Sequence, residues 1–382
     1  MKILMLTWEY PPHKVGGVGS HCKSLAETLE GRGHDVTVLT YGEKEKRENQ
    51  EDVEIYRVSA GPADDVVTWS LMLNHEIQKK ATELIKEGEY DLVHAHDWSS
   101  VPAATAIKKG ADLPMVFTIH STERGRSGIH SDMSRLINDL EWYGTYEADQ
   151  VITVGKDLKG EVQYHFSVPD EKLHYVPNGV DMKRFKGAES VRDEIALDWE
   201  DMVLYVGRLC HQKGVRHLIH AMPKVLKERP ETKFIFTGGG AVDKYRNMAR
   251  NVGVEDKAYF TGFVPEERLV DLYKSADATV MPSIYEPFGI VALESMAVET
   301  PVVASYVGGL KETVVHEWCG LHTYPSDPDS IDWGIQMILS DKTWNNWMGE
   351  KGKERVEENY RWEMVAELTD SIYKKTVGDE EQ

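Results

Sequence analysis

Short apolar runs recur along this chain, and each gives way to a polar or glycine-rich turn before a segment of helical periodicity begins. KILMLT (residues 2–7) reads as a buried strand. WEYPPHKVGGVGS follows it and reads as a loop, with two prolines and three glycines. SHCKSLAETLEGRGH then sets Leu25 and Leu29 one helical turn apart and stops at Gly31 and Gly33; DVTVLT is the next strand. Such a strand–loop–helix–strand unit predicts a parallel sheet with helices on its faces.

The pattern repeats in DLVHAH, PMVFTIH and QVITVG, and LHYVPNGVD closes this first series near residue 181. The charged stretch KGAESVRDEIALDWED (186–201) reads as a linker, and GEKEKRENQEDVE (42–54) as a solvated connection. A second series follows: MVLYVGRL, KFIFTGGG, AYFTGFVP, ATVMPS and PVVAS, with a helix-rich tail from Asp329 to Val377. The expected fold is α/β, with two tandem Rossmann-like, doubly wound domains facing across a cleft, at residues 1–190 and 191–360. Ligands of open parallel sheets bind at the carboxyl ends of the strands.

Composition sharpens this picture. At roughly 100–200 residues per domain, 382 residues fit two domains. Acidic residues outnumber basic ones, 64 to 44, and a net charge of -20 disfavours nucleic acid and anionic lipid as partners. Cys22, Cys210 and Cys319 are far apart with no CxxC spacing, which argues against a disulfide framework or structural zinc and for a reducing compartment. No apolar stretch is long enough for a membrane span, and the first apolar run is too short for a signal-peptide core. A soluble, cytoplasmic protein is expected; an oligomer is compatible with the sequence.

Candidate chemistry lies just after the strands. In KVGGVG, the backbone of Gly16 and Gly17 can approach a phosphate at a helix N-terminus, with Lys14 beside it. A dinucleotide fingerprint is incomplete here: Ser20 and His21 follow Gly19, and the second strand ends in Thr40 and Tyr41 without an acid. GRLCHQKG (207–214) offers Arg208 for bidentate phosphate contact and Lys213 as a point charge. In EPFGIVALESMA, Glu286 precedes a Pro-Phe-Gly break, and a helix from about Gly289 carries Glu294 among Val291, Leu293 and Met296. Its first amides could meet a diphosphate and Glu294 a ribose. His94, His96, Asp97, His120 and Asn178 end strands of the first half. H-x-H with a distant third histidine is unspecific for metal, and no metal is expected.

KVGGVG, HAHDW, TIH, PNGVD, GRLCHQKG and EPFGIVALESMA occur in the order found in retaining glycosyltransferases of the GT-B fold. The chain resembles the glycogen and starch synthase branch of glycosyltransferase family 4, from about residue 1 to the tail. KVGG and HDW point to α-glucan synthases, and TIHSTERGRSGIHSD is similar to short microbial proteins of that kind. The resemblance implies that Arg208 and Lys213 hold the diphosphate of a nucleotide-sugar, with Gly16, Gly17 and Lys14 close by. Glu294 would bind the ribose, and Phe288, Gly289 and Ile290 would form the helix start at the phosphates. Residues around Val264 would meet the base. Glu286 would contact the donor sugar and His120 its 6-hydroxyl. Asp97 and Asn178 would line the sugar and acceptor side. A C-terminal helix at about 361–382 would cross back to the first domain. The sequence departs from the family pattern at Ser295 and Glu299, where Ala and Gly are usual.

The implied activity is a retaining, metal-independent hexosyl transfer without a cofactor, from ADP- or UDP-glucose to the non-reducing end of an α-1,4-glucan. Alternatives are a family 4 transferase, for example a mannosyltransferase, acting on a lipid or small glycoside, and a nucleotide-sugar epimerase. The first usually brings a basic amphipathic face on the first domain. WSLMLNHEIQKKATELIKE is only weakly basic, and the chain is strongly acidic.

Overall fold

A computed structural model describes residues 1–13, 16–197 and 199–378. The chain forms two compact units. The first comprises Met1–Gly179 together with the segment from Trp362 onward, and the second comprises Val180–Arg361.

The first unit is built on an eight-stranded sheet: β1 (Lys2–Leu6), β2 (Asp35–Tyr41), β3 (Lys46–Gln50), β4 (Val53–Val58), β5 (Leu92–His96), β6 (Met115–Ile119), β7 (Gln150–Thr153) and β8 (Leu173–Tyr175), in the order β3-β4-β2-β1-β5-β6-β7-β8. All neighbours are parallel except β3, which runs antiparallel to β4. Strands β5 and β6 are buried at every position, as expected where helices cover both faces. Helix Trp362–Val377 completes this core: Val365, Ala366, Ile372 and Tyr373 pack with Cys22, Leu25 and Leu29 of helix Gly17–Glu30.

The second unit holds a parallel six-stranded sheet: β9 (Met202–Val206), β10 (Lys233–Thr237), β11 (Ala258–Gly262), β12 (Ala278–Met281), β13 (Val302–Ser305) and β14 (Gly320–Thr323), in the order β11-β10-β9-β12-β13-β14. Its core gathers Leu218, Met222 and Val225 from helix Val215–Glu228 with Ile331, Ile335 and Ile338 from helix Pro328–Ser340. Two such doubly wound α/β units are the GT-B architecture. Among the described residues, no helix is long and apolar enough to cross a membrane.

Two segments differ from the sequence reading. Part of the charged stretch 42–54 is not a solvated connection but edge strand β3. The reason is Arg57, only 4% exposed, whose Nε lies 3.2 Å from Glu48 Oε1 of β3 and whose guanidinium also donates to the carbonyl of Tyr41. A buried guanidinium needs a countercharge, and β3 delivers it. The units also divide at Gly179/Val180 rather than 190/191. Charged residues between these points dock on the second unit: Arg184 pairs with Glu266 at 2.5 Å, and Glu189 N donates to Asp271 Oδ1 at 3.1 Å.

Candidate functional site

In the second unit, strand order reverses between β9 and β12, the topological switch point where open α/β sheets place ligands. The loops leaving these two strands are locked together. Gly214 has φ +65°, and a Cβ there would come within 1.8 Å of the Pro282 carbonyl, so only glycine fits this crossing. Ile284 N donates to Gln212 O at 2.8 Å. Lys213 is thereby held with its Nζ 2.6 Å from Glu286 Oε2, and Ser283 Oγ donates to the same oxygen at 3.0 Å. Glu286 is 7% exposed. Arg208 lies on the same loop with its side chain exposed, and among the described residues its guanidinium forms no ion pair.

Two further glycine turns, not singled out from the sequence, brace this arrangement. Gly308 has φ +46° and lies so close that a Cβ would stand 2.1 Å from the Glu286 carbonyl, while Gly309 N donates to that carbonyl at 2.9 Å. After β10, Leu209 N donates to Gly239 O at 2.7 Å. The TGGG run at the end of KFIFTGGG was the available signal for that turn.

Helix Ile290–Ala297 begins after Gly289, with no side-chain cap on its N-terminus. Phe288 is buried against Tyr360. Tyr273 Oη donates to Glu294 Oε2 at 2.9 Å, and Arg184 Nη1 lies 3.6 Å from Glu294 Oε1. Burial and the Glu294 charge push the Tyr273 phenol well up, which keeps it a donor. Neither Tyr273 nor Arg184 stood out in the sequence. Val264 follows β11 and is half-buried. The two departures from the family pattern are accommodated: Ser295 Oγ donates to Thr279 Oγ1 at 2.8 Å, and Glu299 adopts φ +68° while reaching Lys274 and Lys353 at 3.1 and 2.9 Å.

In the first unit the switch point lies between β1 and β5. Gly16 N donates to Glu9 Oε2 at 2.8 Å and starts helix Gly17–Glu30. Among the described residues, nothing lies within 4 Å of where a Cβ on Gly17 would stand. Lys14 lies outside the described residues. His21, His96 and His120 converge here, with one nitrogen of each within 4.8 Å of the others. His96 Nδ1 is 3.2 Å from His120 Nε2, and His21 Nδ1 is 2.7 Å from Asn178 Oδ1. Burial pushes His120 down to about 3 and lowers His21, His94 and His96 well below the usual imidazole range, so all four are neutral at pH 7. Neutral imidazole can accept or donate a hydrogen bond, and three such rings have the donor chemistry of a zinc-type site. His94 belongs to the support, between Tyr373 Oη at 2.6 Å and Thr118 Oγ1 at 2.7 Å. His21 was passed over in the sequence; its signal was its place one turn into the helix that the glycine loop opens.

Asp97 is 6% exposed, and its Oδ1 accepts from His120 N at 2.9 Å. It holds the backbone of the histidine loop. Behind that loop, Arg126 reaches Glu123 at 3.1 Å and the fully buried Glu141 at 3.2 Å. Burial raises the Glu141 carboxyl to about 8. A cavity of about 580 Å³ opens at the ends of β1 and β2, lined by Trp8, Glu9, His13, Tyr41, Asp65 and Trp69. Trp69 meets Trp8 and Tyr41 edge-on, with ring centroids 5.9 and 5.2 Å apart.

Comparison with known proteins agrees with this geometry. The Glycosyltransferase Family 4 model matches residues 15–184, and the Glycosyl transferases group 1 model matches residues 189–355. An uncharacterized glycosyltransferase of Methanocaldococcus jannaschii is 43% identical over 384 residues, covering 98% of each chain. The glycogen synthase of Mycobacterium tuberculosis is 33% identical over 404 residues, covering 100% of this chain and 96% of its own. A solved sucrose-phosphate synthase from Thermosynechococcus elongatus superposes with a TM-score of 0.86 at 25% identity, over 99% of this chain and 100% of that one. The chain thus belongs to glycosyltransferase family 4, as a nucleotide-sugar-dependent hexosyltransferase of the GT-B fold.

Proposed function

We propose that the chain is a retaining, metal-independent glucosyltransferase that extends the non-reducing end of an α-1,4-glucan from ADP- or UDP-glucose. The observation that carries this reading is the Lys213–Glu286–Ser283 cluster beside the exposed Arg208 at the switch point of the second unit. Likeness to a glycogen synthase at 33% identity supports the choice of substrate.

In this proposal Arg208, Lys213 and the amides at Gly289 and Ile290 hold the diphosphate. Cations fixed in advance where the leaving group gains charge stabilise the transition state without reorganisation. Glu294, oriented by Tyr273, takes the ribose, and the backbone near Val264 takes the base. Glu286 contacts the donor sugar, where a carboxylate favours oxocarbenium character. The C1–phosphate bond breaks, the acceptor oxygen bonds to C1 on the same face, and its proton passes to the departing phosphate oxygen. The first unit supplies the neutral His120 for the sugar 6-hydroxyl, with Gly16, Gly17, Lys14 and Asn178 as further contacts. Asp97 acts through His120 as a positioning residue. The aromatic cavity of Trp8, Tyr41 and Trp69 receives the acceptor, since sugar C–H faces pack on rings and Glu9 and Asp65 place carboxylates in its wall. The protein works without a cofactor in the cytoplasm.

The test is release of nucleoside diphosphate from UDP-glucose, ADP-glucose and GDP-mannose, with and without glycogen, in EDTA. Release from a glucose donor that glycogen stimulates and EDTA spares is expected, and it identifies the base. Loss of activity in EDTA would transfer weight to the His21, His96 and His120 trio as a metal site. Absence of glycogen stimulation with every donor would overturn the glucan acceptor.

A further inference from the structure

A second cavity, of about 600 Å³, lies within the second unit, and its lining includes no residue of the β9 or β12 loops. Tyr306 directly follows β13 and Tyr324 directly follows β14, at the carboxyl ends of the last two strands. Trp333 reaches the cavity from helix Pro328–Ser340, whose N-cap is Asp327. These rings are left to solvent: Tyr324 is 73% exposed, Tyr306 55% and Trp333 41%. Large apolar side chains clustered in a concave place on a soluble surface mark a binding site.

Two of the three rings meet imidazoles, and Trp333 lies 6.3 Å from His316. His316 stacks on His322 with centroids 5.9 Å apart, and Tyr306 meets His322 edge-on at 5.0 Å. Ser330 Oγ accepts from Tyr324 N at 2.9 Å, and Asp327 Oδ1 accepts from Asp329 N at 2.9 Å. The wall therefore alternates aromatic faces with tyrosine hydroxyls, imidazoles and a carboxylate. Among the described residues no lysine or arginine lines it, though Lys311 Nζ sits 5.4 Å from the Tyr306 ring centroid, and its wall is mainly aromatic rather than cationic. A pyranose chain fits: its C–H faces pack on rings while its hydroxyls meet polar edges.

We propose that this cavity is a second saccharide site, which holds an internal stretch of an α-glucan apart from the donor loops. The choice of α-glucan rests on the acceptor proposed above; the choice of a neutral saccharide rests on the cavity itself. Anchoring a polymer at a second point raises the effective concentration of its ends. The site therefore serves long acceptors and leaves short ones unaffected.

The experiment uses the full chain with Tyr324→Ala and Trp333→Ala, and Lys213→Ala as a donor-loop control. Glycogen binding is read by retardation in glycogen-containing native gels, and transfer kinetics are compared for glycogen and maltotriose. Both ring variants are expected to lose retardation and to raise the KM for glycogen about tenfold, with maltotriose kinetics unchanged. Lys213→Ala should remain retarded. Wild-type retardation in both ring variants would overturn the site while transfer to glucan still stood. Retardation that depends on Tyr324, without transfer to any glucan, would uphold the site and overturn the proposed reaction instead.

Discussion

Lys213 Nζ and Glu286 Oε2 lie 2.6 Å apart although 73 residues separate them in the chain. The contact is made by backbone: a crossing at Gly214 and Pro282 that excludes any Cβ. Lys213→Ala should lower kcat about 10²–10³-fold, the usual cost of removing one group that stabilises a charged transition state. Glu286 loses a countercharge but keeps the Ser283 donor, so Tm should fall only moderately. A collapse of Tm would assign Lys213 to the fold instead.

Glu294→Ala should raise the donor KM about tenfold, as expected for loss of a charged hydrogen-bond acceptor. Tyr273→Phe should give a smaller rise, since it frees the carboxylate from one partner without removing it. Calorimetric titration with the nucleoside diphosphate checks both. Unchanged affinity in Glu294→Ala would remove its ribose role.

Above about pH 8, where the Glu141 carboxyl is ionised, Arg126→Ala should destabilise the protein by about 3 kcal/mol, because Glu141, fully buried, then loses its counterion. Replacing Glu141 by Leu in the same chain should restore much of that loss. Urea denaturation measures both. Equal stability of the single and double variants would show that the pair is not coupled.

Four neutral histidines give a definite sign to pH dependence. An imidazole pushed down in the folded state stays unprotonated while the unfolded chain, with an ordinary value near 6.5, takes up a proton. Stability is therefore retained above about pH 6.5 and falls as pH drops below it, for His120 down to about 3. Burial raises Asp97 and Glu141, and these run the opposite way. The histidines outnumber them, so Tm should fall between pH 6.5 and 4.5. His120→Asn should make that fall shallower; an identical slope would show that His120 carries no part of it.

Glu299 stands at φ +68°, where a non-glycine residue is strained by roughly 1–2 kcal/mol. Its contacts to Lys274 and Lys353 are partly exposed and are worth about 0–1 kcal/mol each. Glu299→Gly should therefore leave Tm almost unchanged, whereas Glu299→Ala, which keeps the strain and loses both lysines, should lower it. The reverse ranking would refute the compensation.

The sequence showed the fold wherever a strand is buried on both faces, because KILMLT, PMVFTIH and MVLYVGRL are then unbroken apolar runs. Strands β3, β4 and β14 escaped it. β3 is wholly polar and is fixed by the buried Arg57 in β4, a long-range charge relation that periodicity does not register. β14 is four residues long and holds a histidine. Of the candidate site, Arg208, Lys213, Glu286 and Glu294 were legible because each lies near a glycine or proline break that follows a strand. Tyr273, Arg184, Ser283 and His21 were not, because their place is set by tertiary packing onto those residues.

The core of the first unit draws Val365, Ala366, Ile372 and Tyr373 from helix Trp362–Val377. The second unit is one uninterrupted stretch of chain. During synthesis, all of the second unit's core residues are added to the chain before the last helix of the first is made. The order of maturation therefore inverts the order of the sequence: the domain that begins first is finished last, and a chain released at residue 361 has an unfinished first unit and every residue of the second.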